Sequence, residues 1–472
     1  MKYLLNVLLI CCLPGSTGCG DVSIKDEDVV EIEEEAVEIA IRRSLDKRSY
    51  RDKLLESDLG LVRFLTLREG QLTNLNSLEK LTNLEILNAR DNQISDLRGL
   101  ESLTRLKTID LVGNRVASIK ELENLLDLEY LRLSRNRLTD LKGIENLTKL
   151  EDLFLRYNDG ISLKGMEKLK RLKNLYIGNC QLTNADLQGL ESLTNLEVLW
   201  LPHNQISASA GLENLTNLRE LKISFNPLSD VQGLEHLTKL EKIDASKCQL
   251  TSTNLQGLDN LKNLTTLDLA HNKLHTCQGL ENITSLRSLR LDSNQITTLD
   301  GLDNHKLLRS LEVRSNKLTD LGPLEKCVDL QQLYLDNNQL SSLGSLGNRD
   351  SLFALSVANN QLTDATELAK YTSLDSLSLD SNNLVDVQGL ENLTELTTLH
   401  LKDNQLKSIE GLQNLKKLIV LDLSGNQLKS IQVLYNFANL SVLDLSGNQL
   451  PQKQIEELRN ALPECRISYD EM

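Results

Sequence analysis

The sequence predicts an α/β solenoid bent into a horseshoe of about 18 turns, with one parallel β-sheet lining its concave side. Short 3₁₀ or irregular segments should form the convex side, and a helical cap should close each end. Three observations carry this. Apolar residues, mostly leucine, return at the spacing L-x-x-L-x-L-x-x-N-x-I/L-x-x-L-x-G-L, as from Leu84 to Leu100. An asparagine recurs every 22 residues, at Asn92, Asn114, Asn136 and Asn158. Within each unit the apolar residues alternate with free ones, which on a strand sends them to opposite faces.

At 472 residues the chain is long enough for several globular domains, but the fixed period argues for one elongated domain. Its 52 Lys+Arg against 67 Asp+Glu leave a net charge of −15. That argues against nucleic acid as a partner, because phosphate binding relies on a basic stripe. Aromatic residues make up only 3% of the chain, so their distribution carries information.

Met1-Lys2 and the apolar run Tyr3 to Leu13 form a charged start and a core too short to span a bilayer, the pattern of a signal peptide over 1–18. Ser16-Thr17-Gly18-Cys19 follows and resembles the bacterial lipobox, with Ser16 where that motif prefers Leu. The resemblance implies lipidation of Cys19. Small residues at Ser16 and Gly18 also suit ordinary signal cleavage, which would release a soluble protein. Residues 19–35 carry Asp26-Glu27-Asp28 and Glu33-Glu34-Glu35. Charge of one sign keeps such a segment extended, as an acidic tether; its second half also reads as a helix start. From Ala36 the spacing of Val37, Ile41 and Leu45 is that of an amphipathic helix. Residues 36–60 should therefore cap the first turn, since a bare solenoid end exposes core and strand edge.

The repeats occupy 61–448. The ladder position runs through Cys180, Asn204, Asn226, Cys248 and Asn272, and then every 22 residues to Asn448. A degenerate first turn has Gly70 there. These asparagines lie inside the coil, where their amides can pair backbone groups of adjacent turns, so none is assigned to a binding site. At a strand spacing of ~4.8 Å the sheet should extend roughly 80 Å. Glycines such as Gly99, Gly189 and Gly257 recur on the outer side, where a positive φ is expected. Beyond Asn448, residues 449–472 read as a C-terminal cap: a helix from Gln454 to Leu462, Pro463, then a last strand near Cys465 to Tyr469.

The eight cysteines are expected to form no disulfide. Cys11, Cys12 and Cys19 belong to the signal region. Cys180 and Cys248 hold ladder positions roughly 14 Å apart by strand spacing, beyond bridging distance. Cys277 and Cys327 stand where Leu97 and Leu103 stand in the first regular unit, both core positions. The units after Cys180 and Cys248 are 24 residues long and share Cys-Gln-Leu-Thr. They resemble the Cys-type repeats of ribonuclease-inhibitor-like proteins, which implies a longer convex segment.

Function is expected among the free letters of the repeat. The residue between the two inward leucines reads Asp110, Arg132, Phe154, Tyr176, Trp200, Lys222 and Asp244 down the central turns. Three consecutive strands thus present rings, including the only Trp, and neighbouring columns add Tyr130, Tyr157, His203 and Phe225. Arg132, Arg135, Arg156 and Lys222 lie in the same turns. Exposed rings of ~150–250 Å² each exceed what a monomer usually leaves in water, and Tyr, Trp and Arg dominate protein interfaces. The candidate partner-binding residues are therefore Tyr130, Arg132, Phe154, Arg156, Tyr157, Tyr176, Trp200, His203, Lys222 and Phe225, facing an acidic or aromatic-rich protein. The competing reading is a cross-strand aromatic ladder that only stabilises the sheet.

No chemistry is expected. The six histidines show no metal spacing, and no nucleophile–base constellation, phosphate loop or dinucleotide fingerprint appears, so neither catalytic residue, metal nor cofactor is assigned.

Leu61 to Leu450 resembles the 22-residue leucine-rich class of bacterial internalins and of a eukaryotic phosphatase regulatory subunit. The stretch through Leu61 resembles the capping helix of internalin-like proteins. The internalin resemblance implies an exported protein that grips a protein partner with its concave face; the chain is expected to be a monomer. No wall-anchoring tail or immunoglobulin-like domain is recognised after the repeats. The phosphatase-regulator resemblance implies a cytosolic protein, against which the signal sequence argues. A passive envelope protein is a third expectation, and it would need no aromatic patch.

Overall fold

The structure is a computed structural model that describes residues 29–46, 53–67, 70–347 and 350–470. The segment read as a signal peptide, Cys19 and the first half of the acidic segment lie outside those residues. Glu35–Ser44 forms α1, which buries Val37 and Ile41 against the first turn, and Glu56–Leu59 forms α2. Val29 pairs with Leu55 in an isolated antiparallel bridge, with Val30 and Ile32 packed on the core. The end of the segment read as a tether thus packs on the cap: Val30 and Ile32 dock, Glu31, Glu33 and Glu35 face water, and Glu34 Oε2 is buried without a hydrogen-bond partner.

Each turn then gives three strand residues. The first nine strands are β1 (Phe64–Thr66), β2 (Ile86–Asn88), β3 (Thr108–Asp110), β4 (Tyr130–Arg132), β5 (Asp152–Phe154), β6 (Asn174–Tyr176), β7 (Val198–Trp200), β8 (Glu220–Lys222) and β9 (Lys242–Asp244). Strands of the same length continue to Val442–Asp444, and Arg466–Ser468 of the C-terminal cap closes a single 19-stranded parallel sheet among the described residues. Phe64 faces Ile86 and Tyr130 faces Asp152, a step of 22 residues. Asn174 faces Val198 and Lys242 faces Thr266, the two steps of 24 within the repeats.

Strand-central residues such as Leu87, Leu131, Leu153, Leu175 and Leu199 are fully buried, and one continuous core runs from the first cap to the last. Each buried leucine contributes about 1.5–3 kcal/mol, and no turn can bury its leucines without its neighbours.

The ladder asparagines close the polar side of this core. Asn114 Nδ2 donates to the Ala89 and Leu111 carbonyls at 2.9 and 3.0 Å, and its Oδ1 accepts from the Ile94 amide at 2.9 Å. At Cys180 the thiol takes over donation, reaching the Leu155 carbonyl at 3.3 Å. Lacking an amide oxygen, Cys180 leaves the preceding turn to pair differently: the Gly160 amide donates to the Cys180 backbone carbonyl at 3.1 Å. Five cysteines among the described residues are free thiols, four of them buried.

The convex side is built mostly from 3₁₀ turns such as Lys120–Leu122 and Ile144–Asn146. In the first 24-residue unit the two extra residues permit a short helix, α3 (Asn184–Leu187), with Thr183 and Asp186 in a capping box. The second carries two 3₁₀ segments, Ser252–Asn254 and Gln256–Leu258. The expectation of positive φ fails for Gly189 and Gly257, because both lie within these added turns, whereas Gly99 has φ +95°. At the far end α4 (Gln452–Ala461) buries Ile455 and Leu458 over the last turn.

Candidate functional site

Parallel pairing in exact register sets residues at one strand position ~4.8 Å apart, close to the spacing at which aromatic rings pack. Arg132, Phe154, Tyr176, Trp200 and Lys222 occupy the third position of β4 to β8 and face one another in sequence. Phe154 and Tyr176 stack, with ring centres 4.2 Å apart and planes 10° from parallel. Trp200 stands edge-on to Tyr176, at 4.8 Å and 87°. That rotation lets its Nε1 donate to Glu220 Oε1 at 2.9 Å. The ends of the column are cationic: Arg132 lies 5.0 Å from the Phe154 ring centre and Lys222 Nζ 3.8 Å from that of Trp200.

A second column lies alongside, at the residue before each ladder position. Arg135, Tyr157, Asn179, His203, Phe225 and Lys247 occupy it, all with φ between 51° and 59°. His203 stacks on Phe225 at 3.9 Å, and Lys247 Nζ sits 4.4 Å from the Phe225 ring centre. Arg135 and Arg156 lie 5.5 and 5.6 Å from the Tyr157 ring centre. A left-handed φ costs a side-chain-bearing residue about 1–2 kcal/mol. Gly113, Gly425 and Gly447 show that the turn itself accepts glycine here. The rings at Tyr157, His203 and Phe225 are therefore not demanded by the backbone.

Of the sequence-derived candidates, Arg132, Phe154, Tyr176, Trp200 and Lys222 form the first column, and Tyr157, His203 and Phe225, with Arg156 beside them, the second. Tyr130 stands apart, in the first-residue column of β4, and stacks on none of them. Its neighbour Asp152 accepts from Asn174 Nδ2 at 3.0 Å. Burial pushes the Asp152 carboxyl above its ordinary range, partly offset by that bond and by Arg132. Burial first, then the charges of Asp152 and Glu220, raise the Tyr176 phenol.

The stripe read as exposed is exposed only in part. Phe154, Tyr176 and Trp200 are half-buried because each covers its neighbour, while Tyr130, Tyr157 and Phe225 stay exposed at 37%, 43% and 40%. Two participants escaped the sequence reading: Lys247, and Arg90, which lies 3.8 Å from the Asp110 carboxylate that Arg132 also meets. Tabulating every outward column, rather than mainly the one between the leucines, would have found both.

Farther along the face the cations are tied up. Arg290 pairs with Asp268, Asp292 and Glu312, and Arg314 with Asp292, Glu312 and Asp336. Arg314 also lies 4.2 Å from the Tyr334 ring centre. In the ringed half Arg132 and Lys222 each meet one carboxylate as well as a ring, while Arg135, Arg156 and Lys247, among the described residues, lie against rings alone.

The family described as "Leucine-rich repeat region" matches residues 106–248. "Leucine Rich repeats (2 copies)" matches 82–124, 262–304, 306–348, 394–436 and 416–460. No curated protein matches the sequence. Among solved structures, a leucine-rich repeat protein of Leptospira interrogans is 25% identical, with a TM-score of 0.63, covering 88% of this chain and 97% of its own. The functional domain of InlJ from Listeria monocytogenes is 19% identical, with a TM-score of 0.58 and coverage of 86% and 77%. The Arabidopsis receptor kinase HAESA, solved with the peptide hormone IDA and the co-receptor SERK1, is 22% identical, with a TM-score of 0.58 and coverage of 86% and 78%. The last two likenesses concern the fold.

Proposed function

We propose, from the premise that this chain belongs to the leucine-rich repeat family, that it is a binding scaffold that grips a protein partner with the ringed half of its concave face. The observation that carries this is the pair of columns, each ring-bearing and ended by cations, set side by side on β4 to β9. Rings at left-handed positions are unfavourable for the free chain and gain their use when a partner covers them. Large, partly exposed Tyr, Trp and Arg side chains in one patch are what concentrates binding energy at interfaces. The partner is an acidic or aromatic-rich protein, and the chain acts as a monomer without catalysis of its own. The start of the sequence supports export, either anchored through a lipid on Cys19 or released.

A second reading has an observation behind it. The near-parallel Phe154–Tyr176 stack and the satisfied Trp200 indole are also what a stabilising ladder would show. Phe154→Ala with Trp200→Ala separates the two. The double variant and the native protein are used to capture partners from envelope and medium, and the captured protein's affinity and the thermal midpoint are measured for both. The interface reading expects at least a tenfold loss of affinity, since truncated hot-spot rings cost about 2 kcal/mol or more. Undiminished affinity in a destabilised variant would leave the ladder reading standing.

A further inference from the structure

Four guanidinium groups surround one cavity at the β2–β5 end of the stacked rings. Arg90, Arg132, Arg135 and Arg156 line it together with Phe154 and Tyr157, and its volume is about 400 Å³. No acidic side chain lines it. The nearest ion-paired carboxylate is Asp110, whose side chain is only 6% exposed and whose Oδ2 lies 3.8 Å from Arg90 and 3.4 Å from Arg132. One carboxylate at those distances cannot neutralise two guanidiniums. Asp152, on the neighbouring strand, draws on Arg132 through its field while its own oxygen is bonded to Asn174. Arg135 and Arg156 make no ion pair among the described residues, and lie instead against Tyr157. The Arg156 Nε is buried with no hydrogen-bond partner.

A buried donor left unpaired costs about 1–3 kcal/mol, and more on a charged group. Four like charges around one cavity repel, in a chain whose net charge is −15. A bound oxyanion relieves the repulsion: guanidinium forks pair carboxylate, phosphate and sulfate oxygens with strong charge-assisted bonds. Phe154 and Tyr157, whose faces already meet Tyr176 and the arginines, add apolar ring edges beside the charges, so an oxyanion carried on an apolar group fits better than a bare ion.

We infer that this cavity binds an oxyanion borne by the partner, a carboxylate or a phospho or sulfo ester, and that it fixes where the partner's segment starts along the rings. The inference rests on the concave face being the binding face, but its test does not require the partner.

The full chain is titrated calorimetrically, at low ionic strength, with phenyl phosphate, phenyl sulfate and benzoate. At least one binds the native protein, and Arg135→Gln with Arg156→Gln weakens it at least about tenfold. Arg290→Gln, which alters a paired arginine on the other half of the face, leaves binding unchanged. Preference for the esters assigns a modified side chain as the source; preference for benzoate assigns a carboxylate. Thermal unfolding of the double variant close to the native midpoint shows that the loss is local. No binding of any probe at about 10 mM, where even a millimolar site would be mostly filled, overturns the inference, as does equal binding by native and double variant. Should the probes bind while Phe154→Ala with Trp200→Ala leaves partner affinity intact, the cavity stands and the ring reading fails. The opposite pair of results sinks the cavity alone.

Discussion

His305 occupies the position held by Leu103 in the first regular unit, and it is fully buried. Neither ring nitrogen makes a well-formed hydrogen bond. Burial pushes its pKa below the ordinary value of about 6.5, and the nearby Leu302 and Leu280 carbonyls offset this only in part. Below pH 6.5 the unfolded chain therefore binds a proton that the folded chain refuses. Stability is full above that pH and falls as pH drops toward the lowered folded value. His305→Leu should raise stability by about 1–3 kcal/mol and flatten this dependence, as read from urea midpoints at pH 7.5 and 5.0. A midpoint that falls at both pH values would show that the imidazole fills its site better than leucine. The ladder offers a converse case. Asn158→Ala leaves the Leu138 amide unpaired and removes one donor each from the Leu133 and Leu155 carbonyls, which keep Asn136 Nδ2 and Cys180 Sγ, and should cost about 2 kcal/mol in the same assay. Ladder and core were legible residue by residue, because burial is imposed by the repeat. Arg90 was not, because its role depends on which side chains three adjoining turns bring around one cavity.

Among elements, the two 24-residue units show what an insertion does. The sequence implied a longer convex segment there, and α3 with its Thr183–Asp186 box is that segment. What the period could not reveal is that the added turn relieves its glycine. Gly99→Ala would hold a methyl group at φ +95° against the Leu75 carbonyl, and should lose about 2 kcal/mol or more. Gly189→Ala places its methyl 3.5 Å from Leu163 Cβ, an ordinary contact, and should change stability by less than about 1 kcal/mol. Thermal midpoints of the two variants, measured side by side, check the contrast. The ring columns follow the same logic. Their positions could be read from the alternation of leucines, but the choice between stacked and edge-on packing depends on partners such as Glu220 outside the column.

At the scale of the molecule, one core shared by all turns makes the solenoid cooperative between neighbours. Burial raises the thiols of Cys180 and Cys248 to about 11, so neither is reactive in the folded chain. Iodoacetamide should label half-buried Cys465 first, and Cys180, Cys248, Cys277 and Cys327 only as the coil opens, followed by peptide mass spectrometry. Early labelling of Cys180 would show that the coil opens locally at the first 24-residue unit. The leucine period made the horseshoe, its sheet and its caps legible from sequence. It says little about purpose, because the letters that specify the fold point inward and those that meet a partner are free to vary. The proposed binding surface comprises the free letters of β4 to β8. The most direct measurement is the dissociation constant of the captured partner for native protein and for Phe154→Ala, with Trp200 emission recorded during the titration. Trp200 emission should change on binding, and the variant's complex should be at least about tenfold weaker. Unchanged emission together with an unchanged constant would contradict a binding role for this surface.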